Sequence, residues 1–377
     1  MLFEFTDEQK MIQKMVKEFT KNEIKPLDME MDRNGFNDEL WKKIKENGLL
    51  GIPLPEEYGG AGGNAVTGAL ALREISRGSA SVAVTLDAHW LATDIVFHHG
   101  TREQKEKYLH KASEDSIFAF ALTEPSAGSD AAGIQSSAEF DGTHWVLNGT
   151  KAWITNGGIS DLYIILAKTD EKKSTKGISA FLVEAETPGF SVGKKEDKMG
   201  IRGSMTSELI MNNIKLTKES LLGKVGDGFK IAMMALDGAR ISISAIALGL
   251  SEAAREIAVD YAIQRTAFGR PIAQHQSVQN MIANMDIGIR NTELMMFDTA
   301  RMKDLEKRHT KEAAMLKIYS SETTMQTCKD AIQILGGNGY SRDYHVERYL
   351  RDAKIFEIGE GTSEILRMLV GSMSLNK

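Results

Sequence analysis

Two blocks of helical periodicity enclose a block of short strand-like segments, and this order limits the folds that are open to the chain. In the first block, Met11, Met15 and Phe19 recur at the spacing of one helix face. After Gly228 the same periodicity returns and continues almost to the end. Because helices and strands do not alternate, a doubly wound nucleotide-binding sheet is disfavoured.

The middle block holds short apolar segments bounded by Gly, Asn, Asp or Lys, at 145–147, 162–167, 178–183 and 208–210. Their close spacing predicts a small antiparallel barrel or sandwich. The predicted fold class is therefore mainly α with a middle β domain. We expect an N-terminal helical domain at 1–118, the middle β domain at 119–227 and a C-terminal helical bundle at 228–377.

The charge balance and the cysteine count exclude several classes of function. There are 46 Lys and Arg against 52 Asp and Glu, a net charge of -6, and no long basic block suggests a nucleic-acid partner. Cys328 is the only cysteine, so neither an internal disulfide nor a cysteine-based metal site is available. The eight histidines lack metal-ligand spacing, and we predict no metal site.

The sequence also bears on location. Its most apolar stretch, 241–250, is too short to span a bilayer and is interrupted by serines. The first ten residues resemble neither a signal peptide nor a transit peptide. We expect a cytoplasmic protein without a membrane span.

Eight separated segments carry a family resemblance. They are PEEYGGAGG at 55–63, ALTEPSAGSD at 121–130, NGTKAWITNG at 148–157, KMGIRGSMTSEL at 198–209, LDGAR at 236–240, RTAFGRPIAQHQ at 265–276, QILGGNGY at 333–340 and EGTSEI at 360–365. In this order and spacing they resemble the acyl-CoA dehydrogenase family over the whole chain. The family fold, a helical domain, a middle β domain and a C-terminal four-helix bundle, agrees with the pattern above.

The resemblance implies a FAD enzyme that converts an acyl-CoA into its 2,3-enoyl-CoA. It also implies electron-transferring flavoprotein as the electron partner and a homotetramer built as a dimer of dimers. A hydrogen next to a thioester carbonyl is weakly acidic, so a positioned carboxylate must remove it while the developing enolate is stabilised. The resemblance assigns this role to Glu360. Burial beside a neutral acyl chain should raise its pKa.

The family's second position for the base, on the bundle helix before the Arg of the LDGAR segment, is Ala239 here and is not available. The resemblance therefore leaves Glu360 as the base.

Other residues match family positions at the flavin. Trp153 and Thr155 resemble the pair at the isoalloxazine and its N5. Further matches to the flavin and its pyrophosphate are Phe120, Leu122, Thr123, Gly128, Ser129, Thr362 and Glu364. Many relatives carry Gln at the position of Glu364. A second group matches positions that reach the FAD of a neighbouring subunit: Arg265, Phe268, Gln276, Gln333, Gly336 and Gly337.

Asp237 and Arg240 lie three residues apart on a predicted helix and so share one face. In the family this pair binds the CoA part of the substrate. Ser129, Gly359 and Gly361 match positions near the substrate. A surface ion pair is the ordinary alternative for Asp237 and Arg240, although the small neighbours Gly238 and Ala239 favour a close ligand.

Two departures from the family pattern bear on the acyl group. The residue before the base is usually Tyr but is Gly359 here, which predicts space for a branched, alicyclic or aromatic group such as cyclohexanecarboxyl-CoA, unless another side chain fills it. The helix that floors the family's acyl pocket includes Asp87, His89, Trp90 and Asp94. If a carboxylate faces the pocket, it binds a polar acyl tail or takes part in a second proton removal; the ordinary alternative is a solvent-facing or capping residue.

Several alternatives remain open from sequence. A straight short-chain, butyryl-type dehydrogenase or an enoyl-CoA reductase would carry the same motifs. Acyl-CoA oxidases are generally longer, while monooxygenases and nitroalkane oxidases of this fold change the base or the CoA contacts. A non-catalytic flavoprotein that binds nucleic acid would need a basic region, which this chain does not show.

Overall fold

The N-terminal part of the molecule is a set of packed helices. The computed structural model describes residues 4–375. Its first helices are α1 (Asp7–Phe19), α2 (Asp28–Asn34), α3 (Asp38–Glu46), α4 (Ala65–Gly78), α5 (Ala80–His99) and α6 (Arg102–Glu114). Thr6 begins α1 with a capping box closed by Gln9. Because α5 buries side chains around most of its circumference, it is an internal helix of this layer.

The middle of the chain forms one eight-stranded sheet within the described range. Its strands are β1 (Phe118–Ala121), β2 (Ser137–Phe140), β3 (Trp145–Thr155), β4 (Leu162–Lys168), β5 (Ile178–Glu184), β6 (Phe190–Lys195), β7 (Thr206–Leu216) and β8 (Leu221–Leu222). The predicted antiparallel arrangement is wrong for two pairings, both with β4; one of them is a single residue pair, Ser137 of β2 with Lys168. β1 runs parallel to β4, with Phe118 opposite Leu162, because the chain returns to β1 by a crossover through β2 and β3 rather than by a hairpin.

Long helices form the C-terminal part. They are α7 (Gly228–Gln264), α8 (Gln276–Asp304), α9 (Thr310–Leu335) and α12 (Ser363–Leu375), with the short α10 (Gly337–Tyr340) and α11 (Val346–Ala353) between the last two. A two-stranded hairpin, β9 (Thr266–Ala267) and β10 (Arg270–Pro271), joins α7 to α8. Helix α7 packs against α8 and α9 and also against α4 and α5, so it joins the bundle to the N-terminal helices.

Close packing of α4 on α7 depends on one glycine. A Cβ atom at Gly249 would lie 2.2 Å from the carbonyl oxygen of Arg73, so any side chain here would force the helices apart.

In the described residues α7 is also the one helix long and apolar enough to cross a membrane by length and composition. However, 72% of its apolar window is buried inside the protein, as expected for a core helix.

Candidate active site

Glu360 lies in a tight loop directly before α12. Its backbone has φ of 54°, in the left-handed region that non-glycine residues seldom adopt, and Gly361 follows with φ of 96°. A Cβ atom at Gly361 would approach Leu366 to 3.2 Å, so glycine suits this position by conformation and by space. The hydroxyl of Thr362 then accepts a hydrogen bond from the N–H of Ile365 at 3.3 Å and caps α12. The EGT sequence is therefore a strained turn followed by a helix cap.

Two buried cations hold the backbone of this turn. The Nε of Arg240 on α7 donates to the carbonyl oxygen of Glu360 at 3.2 Å. The Nζ of Lys317 on α9 donates to the carbonyl oxygen of Gly361 at 2.6 Å. Strained backbone persists only where surrounding contacts fix it. These two contacts fix Glu360 from two different helices.

Asp237 orients Arg240 from one turn earlier on α7. Its Oδ1 accepts from Arg240 Nη1 at 2.7 Å, and its Oδ2 accepts from the hydroxyl of Thr310 at 2.6 Å. The Arg240 residue is only 6% exposed. Asp237 and Arg240 do form an ion pair, but the alternative that this pair lies on the surface is wrong. Arg240 instead contacts the backbone of the base.

The Glu360 carboxyl has the protonation behaviour expected of a base that must also hold its proton. Burial raises its pKa above the ordinary value, and the positive charges of Arg240 and Lys317 oppose part of this rise. Burial lowers the pKa of Arg240, while Asp237 and Glu360 oppose that shift. The site therefore couples one carboxylate to two cations in a poorly hydrated place.

A cavity of about 490 Å³ lies between α4, α5, α7 and α8. The Glu360 turn is not among its lining residues, but the charge of Glu360 acts on Asp87, which lines it. It is lined among others by Asp87, Trp90 and Leu91 of α5, by Ala239 and Ser242 of α7, and by Lys303 of α8. The Trp90 indole N–H donates to the carbonyl of Leu50 at 2.9 Å, so the ring offers the cavity an apolar surface. This volume falls within the range of about 300–1,000 Å³ found for small-molecule sites.

The three titratable residues singled out on α5 have different surroundings. Asp87 is buried and lines the cavity; burial raises its pKa well above the ordinary value, with a further rise from the charge of Glu360. The charge of Lys303 and a hydrogen bond from Ser242 oppose this rise. Burial would raise the pKa of Asp94, but its ion pairs with Lys303 and His98, each at 3.2 Å, outweigh this effect and lower it.

His89 belongs to the core. Its ring nitrogens lie 3.1 Å from the carbonyl of Ala112 and 3.1 Å from the N–H of Phe118, and burial lowers its pKa to about 4. A neutral, fully paired imidazole of this kind ties α5 to α6 and β1.

Trp153 interrupts strand β3 and turns its side chain outward. The register between β3 and β7 shifts between Lys151 and Ile154, and Trp153 has φ of 60°. Its flanking residues, Ala152 and Ile154, are buried, whereas the indole residue is 58% exposed. The indole of Trp153 is therefore not part of the core. Thr155, two residues further along the strand, is half-buried.

The segment after β1 is held against strand β3, which carries Trp153. The buried ammonium of Lys151 donates to the carbonyl of Leu122 at 3.1 Å and to Glu124 at 2.7 Å, and the N–H of Ala152 donates to the carbonyl of Thr123 at 2.9 Å. Beyond this anchor, Gly128 and Ser129 are exposed, and apart from the adjacent residues no atom lies within 4 Å of a Cβ built on Gly128. Phe120 of β1 is half-buried. The hydrogen-bonded segment at 122–124 therefore supports an open loop of small residues at 128–129.

The second group of predicted flavin residues lies elsewhere on the surface. Arg265 and Phe268 belong to the β9–β10 hairpin region, Gln276 begins α8, and Gln333, Gly336 and Gly337 lie at the end of α9. All six are exposed, and Phe268 is 96% exposed with φ of 53°. Their contact with a neighbouring subunit's FAD stays a prediction.

Comparison with known proteins identifies the family. Three family models match: the acyl-CoA dehydrogenase N-terminal domain at residues 6–115, the middle domain at 119–214 and the C-terminal domain at 226–375. The chain belongs to the acyl-CoA dehydrogenase family. This makes it an oxidoreductase, and FAD is the cofactor of its family.

Similarity to individual members extends over the whole chain. An acyl-CoA dehydrogenase of Bacillus subtilis is 47% identical over 373 residues, which cover 98% of both chains. The short-chain specific acyl-CoA dehydrogenase of Clostridium acetobutylicum is 43% identical over 98% of both chains. The solved butyryl-CoA dehydrogenase of Megasphaera elsdenii superposes with a TM-score of 0.97 at 41% identity, covering 99% of this chain and 100% of that one.

The residues present in this acyl-CoA dehydrogenase fit a flavin. The exposed indole of Trp153 offers a flat apolar face, and a large aromatic side chain held in a left-handed backbone conformation calls for a partner surface. The open loop at Gly128 and Ser129 presents small residues, as close approach to a pyrophosphate requires. We therefore assign the isoalloxazine to Trp153 and Thr155 and the adjoining phosphates to the 120–129 segment, as a proposal.

Sequence reasoning missed three residues of the site: Lys317, Ser242 and Lys303. Each is a polar side chain on a long amphipathic helix, where such residues ordinarily face solvent. Lys317 carries one available signal, because it lies between Leu316 and Ile318 in a segment with the periodicity of a buried helix face. Each of these residues pairs with a partner from a distant segment of the chain, so the pairing has no local signature.

Proposed function

We propose that the enzyme interconverts an acyl-CoA thioester and its 2,3-enoyl form, with Glu360 as the base that takes the proton from the α-carbon. The observation that carries this proposal is a carboxyl group with a raised pKa, fixed in a strained turn between Arg240 and Lys317. When bound, FAD supplies the acceptor for the hydride that leaves the β-carbon. A raised pKa suits Glu360 to hold the abstracted proton until product leaves.

Arg240 and Asp237 serve the same reaction from α7. Arg240 holds the carbonyl of Glu360, and its charge opposes part of the rise in the pKa of Glu360. The pair also matches the family positions for CoA, so we propose that Asp237 and Arg240 contact the pantetheine and nucleotide parts of the substrate. One turn of α7 then both holds the backbone of the proton acceptor and anchors the substrate.

The presence of glycine at position 359 favours a substrate whose acyl group is bulky near the α-carbon. A Cβ atom on Gly359 would lie 3.5 Å from the carbonyl oxygen of Ile355 and 3.9 Å from its Cγ1, which is ordinary contact. The glycine is therefore not required by crowding at its Cβ, and the volume of an aromatic side chain is missing beside the base. We propose a branched, alicyclic or aromatic acyl group, with cyclohexanecarboxyl-CoA as the first candidate.

Relatives support both this class and a simpler one. The 3-(aryl)acrylate reductase of Clostridium sporogenes is 42% identical over 98% of both chains, which favours a bulky unsaturated substrate. The short-chain and butyryl-CoA dehydrogenases favour a straight short acyl group. The acryloyl-CoA reductase of Anaerotignum propionicum, 44% identical, adds reduction as a possible direction.

A substrate panel tests the proposal directly. The FAD-loaded enzyme is titrated without oxygen with butyryl-CoA, an α-branched acyl-CoA, cyclohexanecarboxyl-CoA and phenylpropionyl-CoA, and the loss of yellow flavin absorbance is followed. We expect the cyclic or aromatic thioesters to bleach the flavin fastest. Fastest bleaching by butyryl-CoA would make this a straight short-chain enzyme, and no bleaching by any thioester would refute the proposed reaction.

Gly359→Tyr tests the origin of the selectivity. Overpacking a site by a side chain costs about 1–3 kcal/mol, so we expect kcat/KM for cyclohexanecarboxyl-CoA to fall about 10-fold or more relative to butyryl-CoA. Both substrates are measured on the same variant, so any general loss of active protein cancels in the ratio. An unchanged ratio would show that Gly359 does not form the wall of the acyl site.

We propose that Asp87 contacts the acyl group as a neutral carboxylic acid. A buried donor left without an acceptor costs about 1–3 kcal/mol. We therefore expect Asp87→Leu to raise kcat/KM for hydrocarbon acyl groups and to lower it for acyl groups carrying a hydroxyl or carbonyl oxygen, by about 5-fold each. Asp94→Asn is the matched control, because Asp94 lines the same cavity but is already paired to Lys303 and His98. Equal effects of Asp87→Leu on both substrate classes would refute this contact.

We further infer that electrons pass to electron-transferring flavoprotein. A solved chain in a structure described as the electron transferring flavoprotein of Acidaminococcus fermentans is 42% identical with a TM-score of 0.97, covering all of both chains.

We also propose a homotetramer, because Phe268 and Tyr340, which are 96% and 86% exposed, lie in the region whose family counterpart meets a neighbouring subunit. Light scattering of the FAD-loaded enzyme distinguishes a tetramer from a monomer.

A further inference from the structure

Lys317 is a buried ammonium with an unusual set of partners. The residue is 0% exposed, and within residues 4–375 it forms no ion pair with a carboxylate. Its one acceptor is the carbonyl oxygen of Gly361, at 2.6 Å. An isolated buried cation is costly, and an apolar side chain of similar length would pack the same helix face at lower cost.

The surroundings of Lys317 connect it to the base. Burial lowers the pKa of Lys317 to about 8, the carboxylates of Glu360, Glu357 and Glu364 oppose this shift, and the charge of Arg240 adds to it. Conversely, the charge of Lys317 opposes the rise of the Glu360 pKa. The two groups therefore interact electrostatically although the hydrogen bond goes to the backbone of the next residue.

We propose that Lys317 is a positioning residue for the reaction, whose ammonium holds the carbonyl of Gly361 and thereby keeps Glu360 in its left-handed conformation opposite Arg240. The inference rests on the proposed function, because it concerns the residue assigned there as the base. Arg240 and Lys317 approach the turn from α7 and α9, so each fixes a different peptide unit. The turn ends at the cap of α12, where the hydroxyl of Thr362 accepts from the N–H of Ile365.

Two variants separate position from charge. Lys317→Met removes both the hydrogen bond and the charge, whereas Lys317→Gln keeps a donor for the Gly361 carbonyl but has no charge. In both, loss of the cation raises the pKa of Glu360 further, so the acid limb of the pH profile of flavin bleaching moves to higher pH, by about 1 unit. Only Lys317→Met should also speed amide hydrogen exchange in residues 358–366.

The matched control is Lys198→Met. Lys198 also has a pKa lowered to about 8, mainly by burial, and also donates to a backbone carbonyl, that of Ser204 at 2.8 Å, but it lies in the loop before β7. We expect this control and Lys317→Arg to keep the acid limb in place. For Lys317→Met we expect kcat to fall about 10-fold to 100-fold with a smaller change in KM, since the substrate contacts remain.

The outcomes distinguish the inference from the function on which it rests. An acid limb and an exchange rate unchanged in Lys317→Met would refute the role of Lys317, while loss of activity in Glu360→Gln would still support the base. If Lys317→Met does not fold, Lys317→Gln still decides the charge effect through its acid limb. Full activity in Glu360→Gln would refute the proposed function itself.

Discussion

Replacing Glu360 by Gln is expected to slow reduction of the bound flavin by acyl-CoA at least about 1,000-fold, because the amide cannot take the α-proton. The side chains have nearly the same shape, and the turn is held through backbone carbonyls by Arg240 and Lys317, so the geometry should survive. The measurement is anaerobic stopped-flow bleaching with the fastest acyl-CoA of the panel. The variant should remain yellow, with a normal FAD content.

Glu322→Gln provides the control for this result. Glu322 is an exposed carboxylate that pairs with Arg367 of α12 at 2.6 Å, so its loss removes a charge next to the same helix without touching the turn. We expect its bleaching rate to stay near that of the wild type. A Glu360→Gln enzyme that keeps near-normal turnover would contradict the mechanism.

The pH dependence follows from the sign of the Glu360 pKa shift. Dehydrogenation needs the carboxylate form, and burial raises the pKa above its ordinary value. Bleaching should therefore increase as pH rises through that raised pKa, and the limb should be absent in the residual activity of Glu360→Gln.

Replacing Arg348 by Met is expected to give the largest loss of stability, about 3–5 kcal/mol. Arg348 on α11 is 2% exposed and is within ion-pair reach of Asp28 on α2 and of Asp352, one turn further along its own helix. Without it, two buried carboxyls have no cation. Because Asp352 also accepts the N–H of Ile201 at 2.6 Å, the same cluster ties the middle domain to both helical layers.

The measurement is the thermal midpoint of the FAD-loaded enzyme at fixed protein concentration. For a chain of this length, a loss of this size lowers the midpoint by about 5 °C. Arg255→Met is the control. Arg255 pairs with Asp286 at 2.6 Å, but their side chains are 35% and 51% exposed, so this ion pair should contribute little to the free energy of unfolding. If Arg348→Met melts within about a degree of Arg255→Met, the buried cluster does not join the domains as argued.

Local sequence was sufficient for the order of the elements. The helical spacing of Met11, Met15 and Phe19 recurs as α1, and the return of this spacing after Gly228 is helix α7. The strand predicted at 145–147 was much too short, since β3 continues to Thr155 through a polar and irregular stretch. Strands β1, β2, β6 and β8 were missed; β6 is largely exposed, so its sequence carries no apolar alternation.

Glu360, Trp153 and Arg240 were predicted because each sits within a short segment that resembles a family motif. The conformations were not predictable from those segments alone. The outward turn of Trp153 arises from a register shift against β7, and the burial of Arg240 arises from the packing of α7 on neighbouring helices. Strand pairing and helix packing are both long-range effects.

The sequence by itself determined the three-part order of helices, strands and helices, the motif residues and the missing aromatic side chain at Gly359, because periodicity and motifs are properties of neighbouring residues. Only the tertiary structure decided that Lys317 holds the turn of the base, that burial raises the pKa of Asp87 while ion pairing lowers that of Asp94 in the same cavity, and that Arg348 joins Asp28 to Asp352. These roles depend on burial and on partners from distant elements, and both exist only after the helices have packed.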